Sequence, residues 1–168
     1  MITSKSKVPQ KMPSAKLKRI DIVPGGMDGL ADKFKDQGIV IVGVTDRGLT
    51  YPDGTNVEEA ALWNINGTGK IPKRDWVTGF IRKHGRKYTK MSEKLIGRVV
   101  SGRLSRVAAL SEIGRSAQPD MKNLIEAWDT PPNAPMTVRK KGFNDPLIHT
   151  RRLLKAIRWR IYDRRRDN

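Results

Sequence analysis

The residues of this 168-residue chain whose types suit chemistry are few: two histidines, adjacent carboxylates, short glycine runs and one dense run of cations. His84 and His149 do not stand at metal-ligand spacing from each other or from a carboxylate. Cysteine is absent, which excludes disulfides, thiolate metal sites and a cysteine nucleophile. Glu58 and Glu59 are neighbours in sequence only. Adjacent helix positions point to different sides, and a place in the first turn of a helix accounts for both. Asp145 and His149 could share a site with a serine, but nothing in the sequence orients such a group and no G-x-S-x-G elbow exists. Gly67-Thr68-Gly69-Lys70 resembles a fragment of a phosphate loop. It lacks the full spacing and runs into Ile71-Pro72, so it reads as a turn, and Gly25-Gly26 reads likewise as punctuation. No catalytic residues, cofactor or metal ligands are assigned.

The cation run is the strongest chemical signal. Arg82, Lys83, Arg86, Lys87 and Lys90 surround a single aromatic, Tyr88. Phosphate backbones are held by such residues, whereas base readout needs more. No helix-turn-helix, zinc-finger or RNA-recognition pattern accompanies them. The segment therefore reads either as a nucleic-acid contact, aided by the C-terminal arginines, or as a solvated linker between helices.

The elements that would position these residues follow from hydrophobic periodicity. Residues 1–28 are basic, with few large apolar groups, and read as an extended arm. Residues 29–37 fit a short helix with Leu30 and Phe34 on one face, stopped by Gly38. The β-branched run Ile39–Thr45 reads as a buried strand. Turn signals at Asp46-Arg47-Gly48 and Pro52-Asp53-Gly54 flank Leu49-Thr50-Tyr51, a candidate hairpin partner. Thr55 or Asn56 caps a helix from Val57 to Asn64, which Asn66-Gly67 ends. Asp75 caps a short helix with Trp76, Val77, Phe80 and Ile81 on one side. Ser92 begins the longest helix, striped by Leu95, Ile96, Val99, Val100, Leu104, Val107 and Leu110, with Pro119 as a kink or a new start. Its glycines, Gly97, Gly102 and Gly114, permit close packing. Met121, Leu124, Ile125 and Trp128 continue the face. Residues 129–142 read as a Pro-rich loop, Thr150 as the cap of a short helix, and Ile157–Tyr162 as a half-buried strand with arginines outward.

The sum is an α+β fold: a small, mainly antiparallel sheet packed against a long helix and shorter helices, with a basic N-terminal arm. The boundaries are an arm over 1–28, a domain over 29–163 and a basic tail over 164–168. The net charge of +17 is distributed in blocks: residues 1–20 carry six cations and no acid, while residues 21–66 carry eight acids and three cations. Residues 70–106 then carry twelve cations and two acids, and residues 136–168 carry eleven and three. Blocks of opposite sign suit copies that meet head to tail. The N-terminus has no apolar run behind its charge, and the longest apolar stretch, near residues 39–44, is too short to cross a bilayer. A soluble protein is expected.

Two stretches carry a resemblance. The first is Ala60-Ala61-Leu62-Trp63-Asn64-Ile65-Asn66-Gly67-Thr68, followed by Ile71-Pro72-Lys73-Arg74-Asp75-Trp76. The second is Pro132-Asn133-Ala134-Pro135-Met136-Thr137-Val138-Arg139-Lys140-Lys141-Gly142, followed by Pro146-Leu147-Ile148-His149-Thr150-Arg151-Arg152-Leu153 and then Ile157. In this order they resemble the phage virion-morphogenesis and tail-completion proteins, including HK97-type tail components, over roughly residues 33–163. His149-Thr150-Arg151 departs from the family's Asp-Thr-Gly, Asn66 from an aromatic, and Asp75 from Pro or Arg. The resemblance implies a non-enzymatic structural protein of the virion, found in the host cytoplasm during assembly. It would join head to tail at the neck, in a closed ring of six-fold or twelve-fold symmetry. Its partners would be copies of itself, connector and tail-tube proteins and genomic DNA as it passes, with no membrane. Candidate interface residues are Trp63, Ile71, Arg74 and Trp76 in the first stretch, and Pro135, Arg139, Lys140, Lys141, Leu147 and Ile148 in the second.

Overall fold

The structure is a computed structural model that describes residues 38–46 and 48–162, together with residues 28, 29 and 32. The arm over 1–28, the helix read over 29–37 and the tail over 164–168 lie outside the described residues, except that positions 28, 29 and 32 are helical.

Strand β1 spans Ile39–Val44 and pairs antiparallel with β2, Ile157–Tyr162, in register Ile39↔Tyr162 through Val44↔Ile157. Its partner is thus the C-terminal strand and not Leu49–Tyr51. That segment folds back on itself instead. Tyr51 N–H donates to the Thr55 carbonyl at 2.8 Å and Val57 N–H to the Leu49 carbonyl at 3.0 Å, leaving a single Thr50↔Asn56 bridge. Nor is β1 buried on both faces. Ile39 is 53% exposed and Ile41 42%, on the same face as Arg158, Arg160 and Tyr162. A two-stranded antiparallel sheet covers one face only, so an all-apolar strand does not imply double burial. Strand β2 has the expected alternation, with Arg158 and Arg160 exposed.

Helix α1, Val57–Asn66, starts where Asn56 Oδ1 accepts from Glu58 N–H at 2.7 Å. It ends at Gly67, whose φ of 76° favours a residue without Cβ. Helix α2 runs from Trp76 to Val100, capped by Asp75. The basic segment is therefore the middle of a helix and not a linker. Helix α3, Arg106–Glu126, is separate from it. The single long helix expected from Ser92 is thus broken at residues 101–105, where Gly102 has φ 75° and the Ser105 hydroxyl caps the new start. Apolar periodicity runs through the break because both helices face one another across it: Leu95 and Val99 pack on Ala109. Pro119 lies inside α3 without ending it. Within the expected loop a further helix, α4, spans Pro135–Lys141, with Pro at its first turn and Gly142 left-handed after it. Helix α5, Arg152–Ala156, has no side-chain cap. The Thr150 hydroxyl is buried without a partner, so the expected capping role is corrected.

Helix α3 is the middle layer, packed on α2 and on both strands. Its sheet face is flattened at Gly114, where a Cβ would meet the Trp159 ring at 2.5 Å. The same device recurs on α2: a Cβ at Gly79 would meet Trp128 at 2.6 Å. The main core gathers Val57, Trp76, Ile125, Leu153 and Ile157 around these contacts.

Gly114→Ala and Gly97→Ala are expected to change stability in opposite directions. At Gly97 nothing lies within 4 Å and the helix simply gains propensity, up to about 1 kcal/mol. At Gly114 the added methyl enters the indole, and overpacking outweighs that gain for a net loss of about 1–2 kcal/mol. Urea unfolding of the two variants checks this, and a stabilised Gly114→Ala would refute the close helix–sheet contact.

Candidate interface cleft

The nine residues after α1 are built to return the chain beneath it. The Thr68 hydroxyl accepts from the backbone N–H of Lys70 at 3.2 Å and of Ile71 at 3.0 Å, and Thr68 N–H donates to the Ile71 carbonyl. This is the turn expected from Gly67-Thr68-Gly69-Lys70, closed on itself. Arg74 N–H then donates to the Asn64 carbonyl at 2.6 Å, which fixes where its side chain enters.

That side chain is 4% exposed. Its Nε donates to the Pro131 carbonyl at 2.9 Å, Nη2 to the Pro132 carbonyl at 2.9 Å and Nη1 to Asn64 Oδ1 at 3.1 Å. Asn64 is itself oriented by Nδ2 donating to the Ala60 carbonyl. Among the described residues no carboxylate forms an ion pair with Arg74. Burial lowers its pKa, but a guanidinium stays protonated, so its charge is met by carbonyl dipoles alone. The clamp ties the end of α1 to the linker between α3 and α4.

Above the clamp lies a cleft of about 340 Å³. Ala60, Ala61 and Asn64 of α1 form one wall, Asn133 and Lys140–Lys141 another, and Leu147–His149 the third. Lys141 Nζ donates to the Asp145 carbonyl at 2.7 Å and lies over the Phe143 ring. Burial pulls the Lys141 pKa down; the Asp145 carboxylate opposes this, and the charge of Arg74 adds to it.

The candidate interface residues thus divide by exposure. Trp76, Leu147 and Ile148 are core, and Arg74 is an internal clamp, so their contribution is to the fold. Ile71 is half-buried. Trp63, 43% exposed, stands beside Leu62, 50% exposed, which the sequence reading passed over. Pro135, Arg139 and Lys140 are exposed and Lys141 half-buried. The open sheet face with Ile39, Ile41 and Tyr162 was also missed, because the strand read as buried.

The basic segment divides as well. Arg82, Lys83, Arg86 and Lys90 are exposed on α2. Lys87 instead forms an ion pair with Asp120 on α3, at 2.5 Å. Tyr88 Oη donates to the same carboxylate at 2.6 Å, and the Tyr88 ring stacks on Phe80, so this aromatic belongs to the helix–helix contact and not to a stacking platform for bases. Burial works against the Asp120 charge, but the hydrogen bonds from Lys87 and Tyr88 outweigh it and hold the carboxyl below its ordinary value. His84 lies 3.5 Å from the same oxygen and stacks on Phe80. Asp145 and His149 are both exposed. No group of three or more potential metal-ligating side chains occurs among the described residues, and none of their helices is long and apolar enough to cross a membrane.

Neither family models, curated proteins nor solved structures yield a match to this chain.

Arg74→Lys is expected to lower stability by roughly 2–3 kcal/mol, since an ammonium cannot span three acceptors and leaves buried carbonyls unpaired. Chemical denaturation of the variant at neutral pH measures this. A loss below about 0.5 kcal/mol would mean that the planar fork is not what joins the two stretches.

Proposed function

We propose that this chain is a structural subunit of a tailed-phage virion that completes the tail and joins it to the head, working by assembly and not by turnover. The observation that carries the reading is the Arg74 clamp. The two stretches that resemble tail-completion proteins are separated by α2 and α3, yet Arg74 and Asn64 of the first bond directly to Pro131 and Pro132 beside the second. The two stretches thus form one physical unit, which supports reading them together.

Surfaces suited to assembly lie around that unit. Leu62 and Trp63 offer an apolar pair on α1, and the open sheet face offers another with Ile39, Ile41 and Tyr162. Half-exposed aromatics of this kind anchor subunit contacts. The charge blocks give such contacts a polarity, with Asp46, Asp53, Glu58 and Glu59 near the start of α1 and the cations on α2. A closed ring of copies in the virion neck, touching connector and tail-tube proteins, uses both.

Electron microscopy of particles assembled with the reading frame stopped at Trp63 tests the proposal. Filled heads accumulating beside separate tails are expected, and intact infectious virions would overturn it.

A second reading has its own observation. Arg82, Arg86 and Lys90 recur at intervals of four on α2, with Lys83 beside them, and none forms an ion pair among the described residues. Exposed cations without ion-pair partners on one helix suit contact with a phosphate backbone. Duplex DNA binding is then expected to weaken with salt at a log–log slope of about −0.9 per phosphate neutralised. Arg86→Gln with Lys90→Gln should make that slope shallower, whereas Lys87→Gln, already committed to Asp120, should change it least. Equal effects from all three substitutions would remove the helical face as the contact.

A further inference from the structure

Twice inside this molecule an indole is seated on a glycine. A Cβ at Gly114 would meet the Trp159 ring at 2.5 Å, and one at Gly79 would meet Trp128 at 2.6 Å. One more indole is exposed, and the open sheet face carries one more glycine. Trp63 is 43% exposed, whereas Trp76 is buried and Trp128 and Trp159 are half-buried. Gly43 shares the outward face of β1 with Ile39 and Ile41, and nothing lies within 4 Å of where its Cβ would be. Trp63 therefore does not cover the Gly43 of its own copy.

The surroundings of the two residues are complementary. On α1 the exposed residues Glu59, Leu62, Trp63 and Asn66 form one stripe at helical spacing. On the sheet, Arg160 stands opposite Ile41 and Arg158 opposite Gly43, with Tyr162 beyond them. A groove of about 710 Å³ crosses this face, lined by Ile41, Arg160 and Tyr162 and bordered by Asp46 and Glu58 where β1 ends. Glu59, Lys70, Arg158 and Arg160 form no ion pair among the described residues. The spacings agree as well. A helix advances about 6 Å over the four residues from Glu59 to Trp63. A strand advances about 6.6 Å over the two residues from Ile41 to Gly43.

We propose that α1 of one copy lies on the open sheet face of a second copy, with Trp63 seated on Gly43. Glu59 then meets Arg160 and Arg158, Leu62 packs on the exposed isoleucines, and Lys70, just past the helix, approaches Asp46 and Glu58. The visiting helix covers the outer side of the sheet as α3 covers the inner side, which completes a layered core. The two patches differ, so each copy offers one of each and the contact repeats from copy to copy. This deepens the assembly reading, and rests on it in requiring that copies meet. Its test uses the isolated protein, so its failure leaves the particle experiment standing, and the reverse holds too.

The test is sedimentation velocity of the full-length chain from micromolar to millimolar concentration at physiological ionic strength. The unmodified chain should associate, with its tryptophan emission shifting to the blue, and Trp63→Phe should abolish that shift. Gly43→Val and Trp63→Ala should each weaken association by at least roughly tenfold. Valine at 43 meets no neighbour and suits a strand, so that variant should keep its thermal midpoint. An equimolar mixture of the two variants should give one-to-one pairs and nothing larger, because one intact Trp63 meets one intact Gly43. An unmodified chain that stays monomeric would overturn the proposal, as would association that neither substitution weakens or a mixture that forms no pairs. If Gly43→Val unfolds, Trp63→Ala still decides the matter, since its side chain is exposed and undiminished association would exclude the contact.

Discussion

A guanidinium held out of water without a carboxylate is the constraint around which this fold is arranged. Removing an ion from water carries a penalty of several kcal/mol even after relaxation. Arg74 offsets it only because three oxygens are in place at 2.9–3.1 Å. Each of those oxygens belongs to a different local decision. Asn64 sits at the end of α1, turned by its own bond to Ala60. The Pro131 and Pro132 carbonyls belong to a linker outside any helix or strand, so no regular backbone ladder takes them. The tight turn around Thr68 brings Arg74 to meet them. Loosening any one of these three would leave a buried charge poorly paired, so the clamp couples helix end, turn and linker into one cooperative unit. The cleft above it inherits that rigidity.

Helix α3 solves a different problem, since it must face a sheet on one side and a helix on the other. Toward the sheet it presents Gly114, which lets the Trp159 ring lie directly on its backbone. Toward α2 it presents Ala109 at one end and Asp120 nearer the other. Its three acids are all spent on internal partners: Glu112 on Arg98, Asp120 on Lys87, and Glu126 on Arg151. This internal use of acid leaves the outer face of α2 uncompensated. The surface charge is thus a consequence of how the middle layer is stitched together, in addition to bare composition.

Elements whose signal is local were legible from the residues. The caps at Asn56 and Asp75, the alternation of Ile157–Tyr162 and the α+β class needed only neighbouring residues to decide them. What was not legible depended on events distant in sequence. The partner of β1 lies more than a hundred residues away, and a β-branched run looks the same whether one face or both is covered. The break at 101–105 was masked because the stripe of α2 continues in phase into α3, where both face the same small core. The cation run concealed its own division, since Lys87 and Arg86 differ only in which side of the helix meets Asp120. For the site, Arg74 was singled out as a motif residue. Its role as a buried clamp required knowing that residues 131 and 132 return beside it. Asn133 and Leu62 lacked any periodic signal that would have marked them for separate attention.

Charge limits how copies of this chain can meet. A net charge of +17 on each chain opposes association. At physiological ionic strength that repulsion is screened over about 8 Å, so it weakens contacts between broad faces more than contacts between small apolar ones. In the proposed ring, attractive contacts between copies would be best placed at patches such as Leu62–Trp63 or the Ile39, Ile41 and Tyr162 face, with the acids near α1 turned toward a neighbour's cations. The exposed cations of α2 lie beyond α3 from the sheet, since α3 packs against both. A subunit using its sheet face for assembly would keep the α2 stripe available for a polyanion, and a bound polyanion would in turn reduce the repulsion between neighbours. On these two proposals, assembly and phosphate binding would reinforce each other through the same charge, so the two readings are compatible on one small domain.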